Sequence, residues 1–324
     1  MNIQSDNMKI WAILLSIVAV AFLSLGGYLL HSNWKNNIMQ IPPKAPSGLA
    51  AIPSSAIEVK LTWKDNSNNE NGFLLYRDGE KIAELQQNTR LYLDNKLRPA
   101  TTYHYEIIAY NFAGESESVT CSVSTLNPPI QIWLEKIGVH ECGEEGESFR
   151  ELWDILRQKP LTGEIQVGFV VTDGKKTTQI PLPSENYIEL KQDDEIVITR
   201  LLFETEEVGN SLRLFATAYE QDGGFKEEVI YKVMDIATGS YMGTPTSILF
   251  TLAGVDFSEI YADIFGAEDD WLGSYVYEWK SNDNWGVGDH IDIQCNRDNG
   301  NIGLRLWFII VCPVYDYSLE VTSS

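Results

Sequence analysis

The sequence predicts an all-β protein in which an N-terminal transmembrane helix precedes two β-sandwich domains, the second larger and carrying a short helix and an insertion. Three observations predict this class. Short segments of alternating apolar and polar residues recur from residue 49 onward, turn residues separate them, and helical periodicity is rare beyond the first 30 residues. Alternation with a period of two buries one face of a strand, which is typical of antiparallel sandwiches.

The composition is that of a globular protein with an acidic surface. Hydrophobic residues make up 44% and charged residues 22% of the 324 positions. The formal net charge of -22 repels nucleic acid phosphates, so we expect no nucleic acid among the partners. The four cysteines lack metal-binding spacing, and they either form disulfides or serve as small buried apolar residues.

The N-terminal segment predicts a membrane anchor. Residues 10–30 carry no charge and are mostly apolar, and a bilayer-spanning helix needs roughly 20 such residues. We therefore assign a cytoplasmic tail to residues 1–8, a transmembrane signal anchor to residues 9–31 and a stalk to residues 32–45. The C-terminal part is then extracytoplasmic. A signal peptide cleaved near Gly26 is the alternative.

Residues 46–127 predict the first sandwich. The segment Ile57–Trp63 alternates and places Ile57 on the same face as Trp63. Asp78-Gly79 is a hairpin signal, and Thr102–Asn111 alternates again. Because no helical period interrupts these short strands, we expect an antiparallel sandwich of about 80 residues.

This region resembles the fibronectin type III family over residues 46–126. The matching positions, in chain order, are Trp63, Gly72–Arg77, Leu97–Tyr105 and Asn111–Ser116. The resemblance implies a non-catalytic spacer or a module that contacts proteins or glycans. It also implies that Tyr103 is the tyrosine-corner residue, whose hydroxyl bonds to upstream backbone. The Arg-Gly-Asp tripeptide of some adhesive members is absent.

Residues 130–324 predict the larger β-sandwich-like domain. Strand patterns recur at residues 130–139, 164–174, 187–191, 195–204, 211–219, 228–235, 273–280, 290–295 and 301–311. Ser148 and Glu151 form a capping-box pattern at the start of an apolar helical face, which predicts one short helix. We expect an inserted subdomain at about residues 230–265, within a region too rich in strands for a doubly wound fold.

Part of this region resembles the calcium-dependent sandwich domain of protein kinase C and synaptotagmin. Acidic residues directly follow one predicted strand and directly precede the next. The resemblance implies a calcium site formed by Glu220, Asp222, Asp269 and Asp270. It also implies that an acidic loop with Glu141, Glu144 and Glu145 lies at the place of the family's first calcium loop. Calcium takes several anionic oxygen ligands, although acids beside glycine are also typical of solvated turns.

We predict a membrane-anchored, extracytoplasmic binding or adhesion-type protein that contacts a protein or glycan ligand at the cell surface. The sequence contains no N-x-[ST] glycosylation acceptor, which fits a bacterial cell-envelope protein better than a eukaryotic ectodomain. Two alternatives stay open: a structural scaffold component of an envelope assembly, and a surface hydrolase whose active site lies in residues 130–324. No catalytic or nucleotide-binding motif occurs, so we predict no particular catalytic residue.

Overall fold

The described part of the protein is mostly β-sheet, which confirms the all-β class that the sequence predicts. The computed structural model describes residues 16, 18–25, 27, 41–140, 162–182, 187–191, 193–220, 270–296 and 302–320. By its internal contacts the chain divides into two compact units. Residues 1–97 and 101–125 form the first, and residues 98–100 and 126–324 form the second.

The described part of the predicted membrane anchor is helical, at residues 16, 18–25 and 27, and its side chains are exposed. The large exposed apolar side chains are Val18, Val20, Phe22, Leu23 and Leu25. The Ser24 hydroxyl donates to the carbonyl oxygen of Ala21 at 2.9 Å, so the helix itself satisfies this polar group. Among the described residues, no helix combines the length and the hydropathy needed to cross a membrane.

The first unit is a two-layered antiparallel sandwich. Its described strands are β1 (Ser47–Ser55), β2 (Glu58–Lys64), β3 (Gly72–Arg77), β4 (Glu80–Gln86), β5 (Leu91–Asn95), β6 (Thr102–Asn111), β7 (Gly114–Glu115) and β8 (Val119–Ser124). One sheet has the order β1-β2-β5. The other has the order β4-β3-β6-β7, with β8 also paired to β6. This sandwich of a three-stranded and a five-stranded sheet, in which β7 and β8 both pair with β6, is the fibronectin type III-like fold that the sequence predicts.

The core of this unit lies between β2 on one sheet and β3 and β6 on the other. Val59, Leu61 and Trp63 are buried on β2, as the alternation predicts, whereas Ile57 is only half-buried in the turn before the strand. The Trp63 ring meets Phe73 of β3 edge-on, with ring centroids 5.8 Å apart. Edge-to-face aromatic pairs add to the burial energy of both rings.

Tyr105 on β6 is the fully buried tyrosine of the first unit's core. Its hydroxyl donates to the Asp94 carboxylate at 2.7 Å, and the Arg77 guanidinium donates to the same carboxylate at 2.9 Å. Tyr103 is half-buried, and the Arg77 guanidinium carbon lies 5.5 Å from its ring centroid. The predicted bond from the Tyr103 hydroxyl to upstream backbone stays a prediction.

The second unit is built on an antiparallel sheet of nine described strands. They are β9 (Ile130–Val139), β10 (Thr162–Thr172), β11 (Thr177–Leu182), β12 (Ile188–Lys191), β13 (Glu195–Thr205), β14 (Ser211–Glu220), β15 (Asp270–Lys280), β16 (Gly288–Asn296) and β17 (Ile302–Val311). The order is β11-β10-β14-β15-β16-β17-β9-β13, with β12 also paired to β10. The sheet folds over on itself, so that β13 at one end approaches β10 and β11 at the other. A single hydrophobic core, with residues from all nine strands buried in it or packed against it, fills the space between the layers.

Several predicted features lie outside the described residues. These are the short helix that starts near Ser148, the insertion at 230–265 and the strand at 228–235. Strand β11 is not among the predicted strands, and it contains Pro181, a residue type that strand interiors disfavour. Proline is tolerated there since β11 ends the path of the sheet and has one ladder partner, β10, among the described strands.

The three cysteines that the structure describes form no disulfide; two of them are buried and Cys121 is half-buried. Cys121, Cys295 and Cys312 are free thiols, and Cys142 lies outside the described residues. Cys295 is fully buried in the core of the second unit, and this burial raises the pKa of its thiol. A thiol held in its neutral form is a poor nucleophile, so Cys295 serves packing.

Candidate functional site

Strand β15 carries aromatic side chains at alternate positions. Tyr275, Tyr277 and Trp279 share one face because successive side chains in a strand point to opposite sides. The β14 residues directly opposite them are all fully buried, and they are Ala216, Leu214 and Leu212. Residues directly opposite in a ladder share a face, so the three aromatic side chains point toward the core layer.

Strand β15 pairs with β14 along its length but has one described ladder pair with β16. The ladder with β14 runs the length of β15, from Ser211 opposite Lys280 to Glu220 opposite Asp270. The ladder with β16 consists of one pair, Ser274 opposite Asn296. As a result Tyr277 is 48% exposed although it lies on the core face, whereas Trp279 is 5% exposed.

A continuous series of rings leads from the exposed Tyr277 into the core. The Tyr275 and Tyr277 rings are nearly parallel at 6.2 Å, and Tyr277 is tilted against Trp279 at 4.9 Å. Trp279 meets His290 of β16 at 5.1 Å, and His290 stacks on Phe308 of β17 at 4.6 Å. We call these five residues the aromatic seam. Its buried rings hold the exposed one in place, which is the arrangement of a preformed contact surface.

The turn between β15 and β16 fixes one end of the seam. Trp285 in this turn is buried, and its indole N–H donates to the Gly209 carbonyl oxygen at 3.0 Å. The backbone N–H of Lys280 donates to the Asp283 carboxylate at 2.6 Å. Gly286 has a φ of +72°, and a Cβ atom there would lie 2.5 Å from the Trp279 ring. Only glycine allows both this backbone conformation and the close approach of the indole.

Charges on the strands around the seam are partly compensated. Burial is the largest single influence on Glu278 and raises its pKa. The hydrogen bonds from Arg213, at 2.6 Å, and from Ser211, together with the positive charges of Arg213 and Lys280, outweigh burial and hold the pKa below its ordinary value. The hydrogen bond from Arg305 likewise lowers the pKa of Asp292. Asp283 and Asp289, at the turn, are exposed and form no ion pair with any described residue. The exposed Lys280 side chain lies at the same turn, with its ammonium 3.6 Å from the Glu278 carboxylate.

The structure brings together one pair of the predicted calcium ligands at backbone level. Glu220 and Asp270 are opposite each other as the last pair of the β14–β15 ladder. Asp222 and Asp269 lie outside the described residues, as do Glu141, Glu144 and Glu145. Within the described ranges, no group of three or more acidic, histidine or cysteine side chains is placed to hold a metal ion. The calcium site stays a prediction.

Sequence reasoning found β15 but not the aromatic seam. The alternation of Tyr275, Tyr277 and Trp279 is visible in the sequence as a strand signal. It does not reveal exposure, because that depends on where the ladder to β16 stops. The sequence does show aromatic residues at every second position of this strand, and such a row must be covered by the core or by a partner.

Fold and site together define a protein of two β-sandwich units, the first of fibronectin type III-like fold and the second with a row of aromatic side chains in which Tyr277 is exposed. No family model matches the chain. No curated protein matches it either.

Solved structures similar to the chain include fibronectin type III domains. FN3tt mut is 28% identical with a TM-score of 0.24, covering 26% of this chain and 96% of that one. The spore cortex lytic enzyme SleM of Clostridium perfringens is 20% identical with a TM-score of 0.24, covering 26% of this chain and 29% of that one. The FN1-FN3 domains of chicken CNTN1 are 16% identical with a TM-score of 0.25, covering 56% of this chain and 62% of theirs. The resemblance to protein kinase C and synaptotagmin stays a prediction.

Proposed function

We propose that this protein is a membrane-anchored, extracytoplasmic binding or adhesion-type protein of a bacterial cell envelope. The aromatic seam contacts a protein or glycan ligand at the cell surface. The observation that carries the proposal is Tyr277, 48% exposed on a core-facing strand surface and held by buried rings. Exposed tyrosine on a rigid support is typical of recognition surfaces, since its ring gives a large contact area at a small cost in conformational entropy.

The N-terminal helix supports the anchoring part of the proposal. Its described residues expose five large apolar side chains, and the Ser24 hydroxyl is satisfied within the helix. Both features suit a hydrocarbon environment, in which polar groups must find partners inside the helix. A water-facing helix of a globular domain would instead show one polar face.

A binding surface and an active site differ in shape and electrostatics. An active site typically combines a deep pocket with titratable groups whose pKa values are shifted toward the working pH. Near the seam the pKa values of Glu278 and Asp292 are shifted downward by arginine partners, as in structural ion pairs. This favours binding over hydrolysis at the seam. The scaffold and hydrolase alternatives stay predictions for the rest of the chain.

Binding to surface ligands by proteoliposomes tests this function. Liposomes carrying the full chain are applied to immobilised panels of cell-surface proteins and glycans. Tyr277→Lys should reduce retention by about tenfold or more, since it removes a central aromatic contact. The matched control is Val197→Lys, because Val197 is a 74% exposed strand residue of the same unit. Equal retention by both variants would contradict a role for the seam.

A further inference from the structure

Two adjoining cavities lie in the second unit, and no residue of the aromatic seam lines either of them. The first has a volume of about 690 Å³ and the second a volume of about 640 Å³. Both are lined by Pro313 and Val314, which follow strand β17, so the two cavities meet at this dipeptide. The Val314 side chain is 43% exposed at their junction. Cavities of this size are typical of ligand sites.

The wall of the first cavity is mostly apolar. Its larger apolar side chains are Val287, Ile309, Val311, Tyr315 and Tyr317. The Tyr317 ring is buried and meets the half-buried ring of Tyr315 edge-on at 4.9 Å. Val287 and Tyr315 also pack against the hydrophobic core. The core therefore holds this wall in place before a ligand arrives, which lowers the entropic cost of binding.

The turn before β16 fixes another part of the same wall. Asn284 lines the cavity, and its side-chain oxygen accepts a hydrogen bond from the Arg98 guanidinium at 2.8 Å. Asn284 and Trp285 both have a φ of +54°, a left-handed conformation that is unusual for a bulky residue. Burial of Trp285 and its hydrogen bond to Gly209 stabilise this conformation. Backbone held in such a conformation by its surroundings is common at ligand sites.

Acidic side chains line both cavities. Asp316 lines the first and accepts hydrogen bonds from the hydroxyl and the backbone N–H of Ser318, which lower its pKa. The second is lined by three exposed acids, which are Glu204, Glu206 and Glu207. An exposed carboxylate beside an apolar wall suits a ligand that combines a positive charge with an apolar group.

Lysines compensate only part of this negative charge. The Lys175 ammonium is 3.5 Å from the Glu207 carboxylate. The Lys176 ammonium, in the wall of the second cavity, donates to the backbone carbonyl oxygen of Glu204 at 2.8 Å. The carboxylates of Glu204 and Glu206 form no ion pair with a described residue. Since the whole chain carries a formal net charge of -22, its field also favours a cationic ligand.

We propose that the two cavities bind a segment of a partner protein in which a large apolar side chain lies next to a basic one. The apolar side chain enters the first cavity, and the basic side chain reaches Glu204 and Glu206 in the second. A sugar fits less well, because its hydroxyl groups would be buried against valine and isoleucine without hydrogen bonds. A second copy of this acidic chain is repelled. The inference goes beyond the proposed function, since it uses none of the seam residues.

A matched set of peptides tests this site. The probes are labelled, end-capped peptides in which one tryptophan and one arginine are separated by one, two or three serines. At each spacing a second peptide has glutamine in place of arginine, and a third has serine in place of tryptophan. Binding to the full chain in detergent is measured by fluorescence anisotropy.

At the spacing that binds best, loss of tryptophan should weaken binding at least about tenfold and loss of arginine about two- to fivefold. Burial of an aromatic side chain contributes more than an exposed ion pair. Val314→Lys should weaken binding at least about tenfold, because it places a bulky cation where the cavities meet. The control Val197→Lys, at a 74% exposed position outside both cavities, should leave binding unchanged.

A second pair of variants tests the acidic cavity. Glu206→Gln should weaken the arginine peptide about two- to fivefold and leave its glutamine counterpart unchanged. The control is Glu135→Gln, since Glu135 is exposed and lies outside both cavities. It should leave the affinity of both peptides unchanged.

Four outcomes would overturn the proposal: no binding by any peptide, equal affinity with and without tryptophan, equal affinity with and without arginine, or equal effects of Val314→Lys and Val197→Lys. Retention of a glycan that Val314→Lys abolishes would identify a sugar as the occupant instead. The effect of Tyr277→Lys on the ligand panel is measured separately, so the seam and the two cavities can fail independently.

Discussion

Trp63 is a large buried residue in the core of the first unit. It is buried at the centre of the core and packs edge-on against Phe73. Trp63→Ala should lower the free energy of unfolding by about 3–5 kcal/mol, the usual effect of emptying a large aromatic site. The control is Trp63→Phe. The Trp63 indole N–H is buried without a hydrogen-bond partner among the described residues, so phenylalanine loses volume but no hydrogen bond. Urea unfolding should show a much smaller loss for Trp63→Phe, and equal losses would contradict the packing described.

Tyr105 should make the first unit sensitive to alkali. Burial, followed by the hydrogen bond to Asp94, raises the pKa of Tyr105 above its ordinary value. The folded state therefore keeps a proton that the unfolded state releases at about pH 10. The contribution of Tyr105 to stability is fully present below that pH and is lost progressively above it. Urea unfolding between about pH 8 and pH 11 should show a shallower alkaline loss in Tyr105→Phe than in the unmutated protein. Parallel pH profiles would contradict this assignment.

At the scale of elements, the β15–β16 turn should depend on Gly286. Gly286→Ala places a methyl group against the Trp279 ring at a φ of +72°. The matched control is Gly174→Ala, because Gly174 has a φ of +82° with nothing within 4 Å of the added atom. Both variants bear the cost of a left-handed backbone, about 1–2 kcal/mol. Only Gly286→Ala should also displace Trp279, and so it should lower the melting temperature more and weaken ligand retention. Equal melting temperatures would show that the turn is not tightly packed.

The predicted calcium site belongs to the ends of β14 and β15. Opposite each other at this end, Glu220 and Asp270 carry like charges that a divalent cation would relieve. If the site forms, calcium at 100 times its dissociation constant should stabilise the protein by about 2.7 kcal/mol, and magnesium by less. Melting of the full chain is compared in chelator, calcium and magnesium, with Asp222→Asn combined with Asp270→Asn as the unresponsive control. A melting temperature indifferent to calcium would leave these acids as turn residues.

Most strands could be predicted from the sequence because burial of one strand face makes apolar and polar residues alternate. Strand β17, for example, reads as an alternating apolar segment and is found at Ile302–Val311. What could not be predicted depends on distant partners. Pro181 lies in a strand with one ladder partner among the described strands, and Tyr277 is exposed on a strand with one described ladder pair to β16. The Asp94 carboxylate that binds Tyr105 and Arg77 likewise comes from another strand.

At the scale of the whole molecule, residues 42–127 should fold as an independent module. All eight strands of the first unit and its core lie within this range. A fragment of these residues should therefore unfold cooperatively in urea, with an m-value appropriate to a domain of about 80 residues. A fragment without a cooperative transition would place the module boundary elsewhere.

Membrane topology is the most direct test of whether the protein is anchored in a membrane with its folded part outside the cytoplasm. The full chain is produced in bacterial cells, the cells are fractionated, and protease is added to intact cells and to lysed cells. An anchored extracytoplasmic protein should sediment with membranes. In spheroplasts, where added protease reaches the outer side of the anchoring membrane, residues 42–324 should be digested without lysis. Protection of these residues in intact spheroplasts, with digestion only after lysis, would contradict an extracytoplasmic location. Release of the folded part into the soluble fraction with a new N-terminus near Gly26 would contradict the retained anchor.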